Sequence, residues 1–167
     1  MLGAKIELGQ QFYRVVNPGV SIPSDSIVVH KLRPADLATA LSPAQVLQEF
    51  ATFSKDAVLV GHFASIDVDI LAKELDRSGE TVTGPAICTA RVQHWIVKHQ
   101  PYAEDQYRRL EEIDLASMAK MYEVAMQEAH HALDDAFVTA RVWQKQLHIL
   151  QRMGVETVGK LFKFARV

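Results

Sequence analysis

The clearest structural signal in the sequence is the stretch AVLVGHFASIDVDIL, residues 57–71. Residues 57–60 form an uninterrupted apolar run that ends at Gly61, a pattern typical of a buried strand. A helical pattern follows over residues 66–77, and Ser65 is placed to be its N-cap. The stretch therefore predicts a buried strand that turns directly into a helix.

Upstream of this stretch the sequence predicts both strands and a helix. Residues 4–16 alternate apolar and polar side chains on either side of Gly9, which predicts two short strands joined by a turn. Ser42-Pro43 is a helix start signal, with Ser42 as N-cap and Pro43 at the first helical position. The apolar face of that helix consists of Val46, Leu47, Phe50 and Phe53.

Downstream of the same stretch, helices predominate. A short strand is predicted at residues 86–88, and the longest helix, 132–152, is expected to turn Leu133, Phe137 and Trp143 toward the core. The other predicted elements are a helix ending near residue 99, a surface loop after it, and helices over 115–122 and 155–164. Strands that alternate with helices predict an α/β fold, in which a mixed sheet is flanked by helices.

The composition is that of an ordinary globular protein. The 167 residues are 49% hydrophobic and 23% charged, which suits one sizeable core and argues against a disordered or fibrous chain. A net charge of −2 argues against coating of nucleic acid, although a site for a strand end needs no basic surface. The single cysteine, Cys88, excludes an internal disulfide, and no apolar run has the length of a membrane span. We expect a soluble, cytoplasmic protein without membrane contact.

Two carboxylates lie in the helix that follows Gly61. At 100° per residue, Asp69 falls on a charged face, whereas Asp67 falls between Ile70 and Leu71. Asp67 is therefore the buried candidate for chemistry. Simple complementation of the helix dipole remains an alternative for both carboxylates.

A second acidic pair follows two histidines in AHHALDDAFVTARVW, residues 129–143. Asp135 lies toward two valines on an apolar flank, whereas Asp134 lies with basic residues. Burial of a carboxylate among valines is costly unless a metal or hydrogen bonds compensate for the lost water, so Asp135 is the candidate. His130 and His131 could be ligands, general bases or polar residues at a helix start, and their spacing does not choose between these roles.

Taken together, these motifs resemble the DEDDh branch of the 3′–5′ exonucleases in the ribonuclease H-like superfamily. The order is GH-x-x-S-x-D-x-x-x-L, then IDLASMAKMYEV, then AHHALDDA. The third motif, H-x-A-x-x-D-A, fits as His130, Ala132, Asp135 and Ala136 and is the most specific signal. The branch includes the epsilon proofreading subunit of bacterial replicative polymerase and ribonuclease T, and the likeness covers nearly the whole chain.

The resemblance implies a metal-dependent 3′–5′ exonuclease that acts on the 3′ ends of single-stranded DNA or RNA, in some members beside a DNA polymerase subunit. Two cations, Mg²⁺ or Mn²⁺, would be held by four carboxylates, because hard cations prefer oxygen ligands. Asp67 and Asp135 would be metal ligands and His130 the general base, a role that its near-neutral ordinary pKa suits. The remaining residues implied to bind substrate are His62, Phe63 and Ser65. The exonuclease-like domain would span residues 1–152, followed by a short helical extension over residues 153–167.

The sequence also departs from the family. No Asp-x-Glu, the motif that supplies two of the four carboxylates from the first central strand, occurs in residues 1–167. Phe63 stands where the family usually has Asn, Ile66 where it usually has Phe, and Cys88 where an Asp commonly precedes Thr89. We expect a fold without its usual first strand and an incomplete two-metal site.

Three explanations compete for the missing motif: a recorded start at an internal Met, a diverged inactive homologue, or a strand donated by a partner. We favour the first, which makes the chain an N-terminally truncated exonuclease that is weak or inactive alone. The alternative is an inactive exonuclease-like module that binds nucleic acid or a polymerase partner. A plain α/β interaction domain would require both motif matches to be accidental.

Overall fold

The structure is a computed structural model, and it describes residues 5–79, 84–99, 113–126 and 131–167. Within these residues the chain forms eight helices and two strands. In chain order they are α1 (Ser24–His30), α2 (Pro34–Leu37), α3 (Pro43–Phe53), β1 (Leu59–Gly61), α4 (Ser65–Arg77), β2 (Ala86–Cys88), α5 (Thr89–His99), α6 (Leu115–Met121), α7 (Ala132–Arg152) and α8 (Val158–Leu161).

The sheet is small and its two strands are parallel. Leu59 pairs with Ala86 and Gly61 with Cys88, so both strands end at the same edge. An antiparallel bridge between Ile87 and Arg166 makes the pairing mixed. The predicted α/β fold is confirmed, since helices precede, connect and follow the two strands.

The strand β1 is less protected than its sequence predicts. All three of its residues are half-buried, whereas those of β2 are buried. Within the described residues β1 pairs with β2 along one edge only. The prediction of a buried strand was therefore wrong in degree, because an apolar run is covered fully only where neighbours lie on both sides.

The main core lies where α5 and α7 pack together behind β2. Ile87, Val92, Ile96 and Leu150 are all almost fully buried there. The C-terminal residues complete this core, since Leu161 and Ala165 are fully buried in the same cluster.

Residues 153–167 also bond directly to the sheet. The Cys88 N–H donates to the Ala165 carbonyl at 3.0 Å, and the Val167 N–H donates to the Ala86 carbonyl at 2.9 Å. The described helix in this segment, Val158–Leu161, is shorter than the predicted 155–164. The division at residue 152 stays a prediction, but the segment after it packs into the core of the chain.

The two strands predicted near the N-terminus are not formed in the residues described there. Over residues 5–16, only Val16 is paired, in an isolated bridge to Leu41. An alternating pattern forms a strand only where a neighbouring strand accepts its hydrogen bonds. The prediction failed for residues 5–16 because no such ladder lies beside them in the described part of the fold.

Most helices begin and end close to the predicted positions. The Gln45 side chain accepts a hydrogen bond from the Ser42 N–H at 3.3 Å, as expected at a capped helix start. Ser65 is the first residue of α4 rather than its N-cap, which is Ala64 and provides no side-chain hydrogen bond. The predicted loop after residue 99 lies outside the described residues over 100–112.

The longest helix, α7, has the predicted ends but a different inward face. Phe137 is 45% exposed, and Leu133 and Trp143 are half-buried. Phe137 lies over a cavity lined by residues 5, 6 and 8, the segment that forms no strand, so the cover expected for its ring is missing. The buried residues of the helix are Val138, Thr139, Val142, Gln146, Leu147 and Leu150.

None of the described helices combines the length and the apolar character needed to cross a membrane.

Candidate active site

A cleft of about 530 Å³ opens beside β1 and brings the two acidic motifs together. One wall is β1 with the turn into α4, and the opposite wall is the first turns of α7. The residues that line the cleft are Leu59, Val60, Gly61, His62, Ala64, Asp67, Val68, Leu71, Leu115, Ala132, Asp135, Ala136 and Thr139. Asp67 and Asp135 thus share one cleft although they lie far apart in the sequence.

The strand-to-helix turn holds Asp67 close to the end of β1. A Cβ placed on Gly61 would stand 2.9 Å from the Ala64 Cβ and 3.8 Å from the Asp67 Oδ2. Contacts between Cβ atoms below 3.0 Å are essentially never seen, so only glycine permits this close approach. The glycine that ends the apolar run therefore positions the carboxylate as well as ending the strand.

Asp67 is more accessible than the helical wheel predicts. The residue is exposed, because its neighbours Ile66 and Ile70 are themselves 64% and 57% exposed. Its carboxyl group is nevertheless partly desolvated, and this burial raises the pKa of Asp67 above its ordinary value. The prediction of a buried Asp67 was wrong for the residue as a whole.

Asp135 is half-buried in the opposite wall, and its Oδ1 atom is fully buried. No described residue donates a hydrogen bond to that oxygen. A buried carboxylate oxygen without a donor is costly, so it marks a place for a cation or another donor.

The second acidic residue of each pair points away from the cleft. Asp134 lies with its Oδ2 atom 3.2 Å from the His131 Nδ1 atom at the start of α7, a contact that is close but poorly aligned for a hydrogen bond. Neither Asp134 nor Asp69 is among the described residues that line the cleft.

His62 reaches the cleft from the end of β1. Its Nδ1 atom lies 2.9 Å from the Thr89 Oγ1 atom, while its Nε2 atom is buried with no aligned partner among the described residues. Burial lowers the pKa of His62, and the backbone of Ile113 and the carboxylate of Asp114 oppose this shift. The imidazole is therefore held toward its neutral form.

Phe63 and Ser65 stand beside the cleft rather than in its lining. Both residues are exposed, and the Phe63 ring lies 4.5 Å from the His62 ring between their centroids. Phe63 has φ of 51°, in the left-handed region that bulky residues rarely adopt. Their predicted contact with substrate stays a prediction.

The predicted general base, His130, lies outside the described residues, which resume at His131. Its position next to the first residues of α7 is fixed only by the chain. The role of His130 therefore stays a prediction.

Two cleft features were not found from the sequence. Thr139 lines the cleft one helical turn after Asp135, and Thr89 holds the imidazole of His62. The available signal was positional, since Thr89 directly follows β2 at the edge where both strands end.

The donor set of the cleft fits a hard divalent cation. Its two carboxylates offer oxygen ligands, and one of the oxygens is buried without a donor. Two carboxylates are fewer than a full protein-built cage, and no cluster of three or more His, Cys, Asp or Glu occurs in the part of the chain that the structure describes. Asp67 and Asp135 would be the residues that hold an ion here.

Comparison with known proteins identifies the class. The exonuclease family model RNase_T matches residues 2–143, most of the chain. The chain therefore belongs to the RNase_T exonuclease family.

Relatives of known name agree with this. The chain is 28% identical over 150 residues to a PolC-type DNA polymerase III of Caldanaerobacter subterraneus subsp. tengcongensis, covering 90% of this chain and 10% of that protein. It is 27% identical over 142 residues to the DNA polymerase III subunit epsilon of Aquifex aeolicus, covering 84% of this chain and 65% of that protein. The chain spans between 10% and 22% of the length of three such relatives.

The fold has a counterpart among solved structures. Exonuclease X in complex with 5′ overhanging duplex DNA aligns with a TM-score of 0.56 and 18% sequence identity, over 88% of this chain and 76% of that one. The fold is thus that of the ribonuclease H-like exonucleases, as the sequence predicts.

Proposed function

We propose that this chain is the exonuclease domain of a metal-dependent 3′–5′ exonuclease that trims or proofreads nucleic-acid ends. The observation that carries the proposal is the buried Oδ1 atom of Asp135, which lacks a donor in a cleft that it shares with Asp67. A bound Mg²⁺ or Mn²⁺ would satisfy that oxygen and would supply positive charge to the scissile phosphate. Membership of the exonuclease family supports the same reaction class.

The proposed roles of the residues follow from their chemistry. Asp67 and Asp135 would be the metal ligands, and His130, which precedes α7, would accept a proton from the attacking water through a ring nitrogen. His62, Phe63 and Ser65, which lie in or beside the cleft, would contact the nucleotide. The substrate would be the 3′ end of single-stranded DNA or RNA, and a cytoplasmic polymerase subunit would be a fitting partner.

The same cleft implies that residues 1–167 alone are weak or inactive. Only two of its described lining residues are carboxylates, and no Asp-x-Glu occurs in the sequence. An ion held by two carboxylates depends on water and substrate for its other ligands. Loss of one preorganised stabilising group can cost roughly 10²–10³ in rate. This observation also favours the second candidate, an inactive module that binds nucleic-acid ends or a polymerase partner.

The experiment compares the 167-residue chain with a chain that carries an added N-terminal strand containing Asp-x-Glu. The substrate is a 5′-labelled single-stranded oligonucleotide, with Mg²⁺, Mn²⁺ or EDTA. We expect little product from the short chain and metal-dependent stepwise shortening by the extended one. His130→Ala and Asp135→Asn should abolish this activity, whereas Asp69→Asn and Asp134→Asn, which alter carboxylates outside the cleft, should retain it.

Two outcomes would contradict the proposal. Robust metal-dependent activity of the short chain would show that two carboxylates suffice. An extended chain that is folded but inert would favour the inactive module, and binding of a labelled 3′ end without cleavage would then identify it.

A further inference from the structure

A row of buried polar side chains leads from the interior of the protein to the cleft. Gln93 of α5 and Gln146 of α7 are both fully buried. The Tyr122 hydroxyl donates to the Gln93 Oε1 atom, and the Gln146 Nε2 atom donates to the same oxygen at 3.3 Å. The Gln146 Nε2 atom also donates to the Thr89 carbonyl at 3.0 Å. Buried amides are costly unless bonded, so this arrangement is specific.

The orientation of both amides is fixed by their neighbours. The Gln146 nitrogen faces two acceptors, the Gln93 Oε1 atom and the Thr89 carbonyl, so a flipped amide would bring oxygen against oxygen. The Gln93 nitrogen then faces the weak acceptor Met121 Sδ at 3.4 Å. The amide of Gln146 therefore ties the first residue of α5 to α7.

That first residue carries the hydroxyl that holds His62. Thr89 is fully buried, and its hydroxyl proton needs an acceptor. The acceptor found within hydrogen-bond distance of Thr89 Oγ1 in the described part of the chain is the His62 Nδ1 atom, at 2.9 Å. A neutral imidazole that accepts at Nδ1 carries its proton on Nε2. The contact thus selects one tautomer.

The Nε2–H of that tautomer has no partner of its own. The atom is buried in a residue that lines the cleft, and no aligned acceptor reaches it from the described residues. An N–H without an acceptor is costly, so it is a site for an oxygen of a ligand. Phosphate and sugar oxygens of a nucleotide are acceptors of this kind.

We infer that Thr89, Gln93 and Gln146 are positioning residues, which fix His62 as the Nε2–H tautomer so that it donates to an oxygen of the bound nucleotide. The inference rests on the proposed function for the identity of the ligand. None of the three positioning residues touches the ligand itself.

The tautomer is tested by NMR of the metal-free protein labelled with ¹⁵N-histidine, in which His62→Gln identifies the His62 signals. We expect the native protein to show the Nε2–H form, and Thr89→Ser to preserve it. Thr89→Val, which has the same shape without the hydroxyl, and Gln146→Leu should lose it. Gln144→Leu on the same helix is the control for substitution of a glutamine and should leave the tautomer unchanged.

Ligand contact is tested with a 5′-mononucleotide in EDTA, followed by the shift of the same signals. Loss of one hydrogen bond to a charged oxygen corresponds to roughly a tenfold weaker dissociation constant. We expect that loss in His62→Asn and Thr89→Val. His62→Gln, whose amide N–H can replace Nε2–H, should bind within about threefold of the native protein.

A native His62 in the Nδ1–H form, or a tautomer that Thr89→Val does not alter, would overturn the inference. Nucleotide affinity that is absent from the native protein, or equal in the native protein and His62→Asn, would also overturn it. These measurements use no cleavage, so failure of the extended chain to act as a nuclease would contradict the proposed function alone.

Discussion

The Asp67 Oδ2 atom lies 3.8 Å from the point at which a Cβ on Gly61 would stand, so the end of β1 and the first turn of α4 touch without room for a side chain. Gly61→Ala would place its methyl group 2.9 Å from the Ala64 Cβ atom and force the turn apart. We expect the free energy of unfolding to fall by about 1–3 kcal/mol, the usual cost of overpacking. Urea unfolding measures this.

The matched control for that change is Gly159→Ala. A Cβ on Gly159 meets no atom within 4 Å, and the residue lies inside α8. Alanine there should be neutral or stabilising, because glycine is a poor helix former. Equal effects of the two substitutions would show that the close approach at Gly61 carries no strain when filled.

Phe63 occupies a left-handed conformation that asparagine tolerates better than an aromatic residue. With φ of 51° and 49% exposure, Phe63 gains little from burial while its backbone is strained. Phe63→Asn should therefore raise the free energy of unfolding by about 0.5–1 kcal/mol, after loss of the ring contact with His62. Phe137→Asn should instead lower stability, because Phe137 has similar exposure but lies within a helix. Thermal unfolding of both variants decides this, and a lower melting temperature for Phe63→Asn would be the contrary result.

The raised pKa of Asp67 predicts a defined pH dependence. A carboxyl group whose pKa is higher in the folded protein binds its proton more tightly when folded, so stability falls as pH rises from the ordinary value of 3.8 through the raised one. Asp67→Asn removes this loss. In EDTA, the variant should gain stability relative to the native protein as pH rises toward neutral, measured by urea unfolding at several pH values.

Added Mg²⁺ should reverse the order of these two proteins at neutral pH, because an ion that binds the folded state stabilises it and Asp67→Asn lacks a ligand. Asp69→Asn should keep the stabilisation by Mg²⁺, since Asp69 lies outside the cleft lining. A stability difference between Asp67→Asn and the native protein that is the same at all pH values would contradict the predicted shift.

Elements with strong local signals could be predicted from the sequence. The apolar strand at Ala86–Cys88 and the helix Ala132–Arg152 have the predicted ends. Features that depend on distant neighbours could not be predicted. Residues 5–16 have a strand pattern without a ladder, and Phe137 is uncovered as a result.

The same division applies to the cleft. Asp67 and Asp135 were found because their spacing repeats a family motif. The polar row behind His62 was missed, because Gln93 and Gln146 look like surface residues of amphipathic helices and only the packing of α5 on α7 buries them. Burial of a glutamine depends on what its helix faces, which a single sequence does not specify.

Asp135 offers the sharpest test, because stability and metal binding should change in opposite directions. In the metal-free protein, an unpaired buried acceptor costs about 1–3 kcal/mol. Against this, a carboxylate near the start of α7 gains about 0.3–1 kcal/mol from the helix dipole. The cost exceeds the gain, so Asp135→Ala should raise the melting temperature in EDTA, while Asp134→Ala, which removes an exposed carboxylate, should lower it slightly. The rise in melting temperature on addition of Mn²⁺ should persist in Asp134→Ala and vanish in Asp135→Ala. If Asp135→Ala were destabilised in EDTA yet still stabilised by Mn²⁺, Asp135 would be a structural residue and the ion would bind elsewhere.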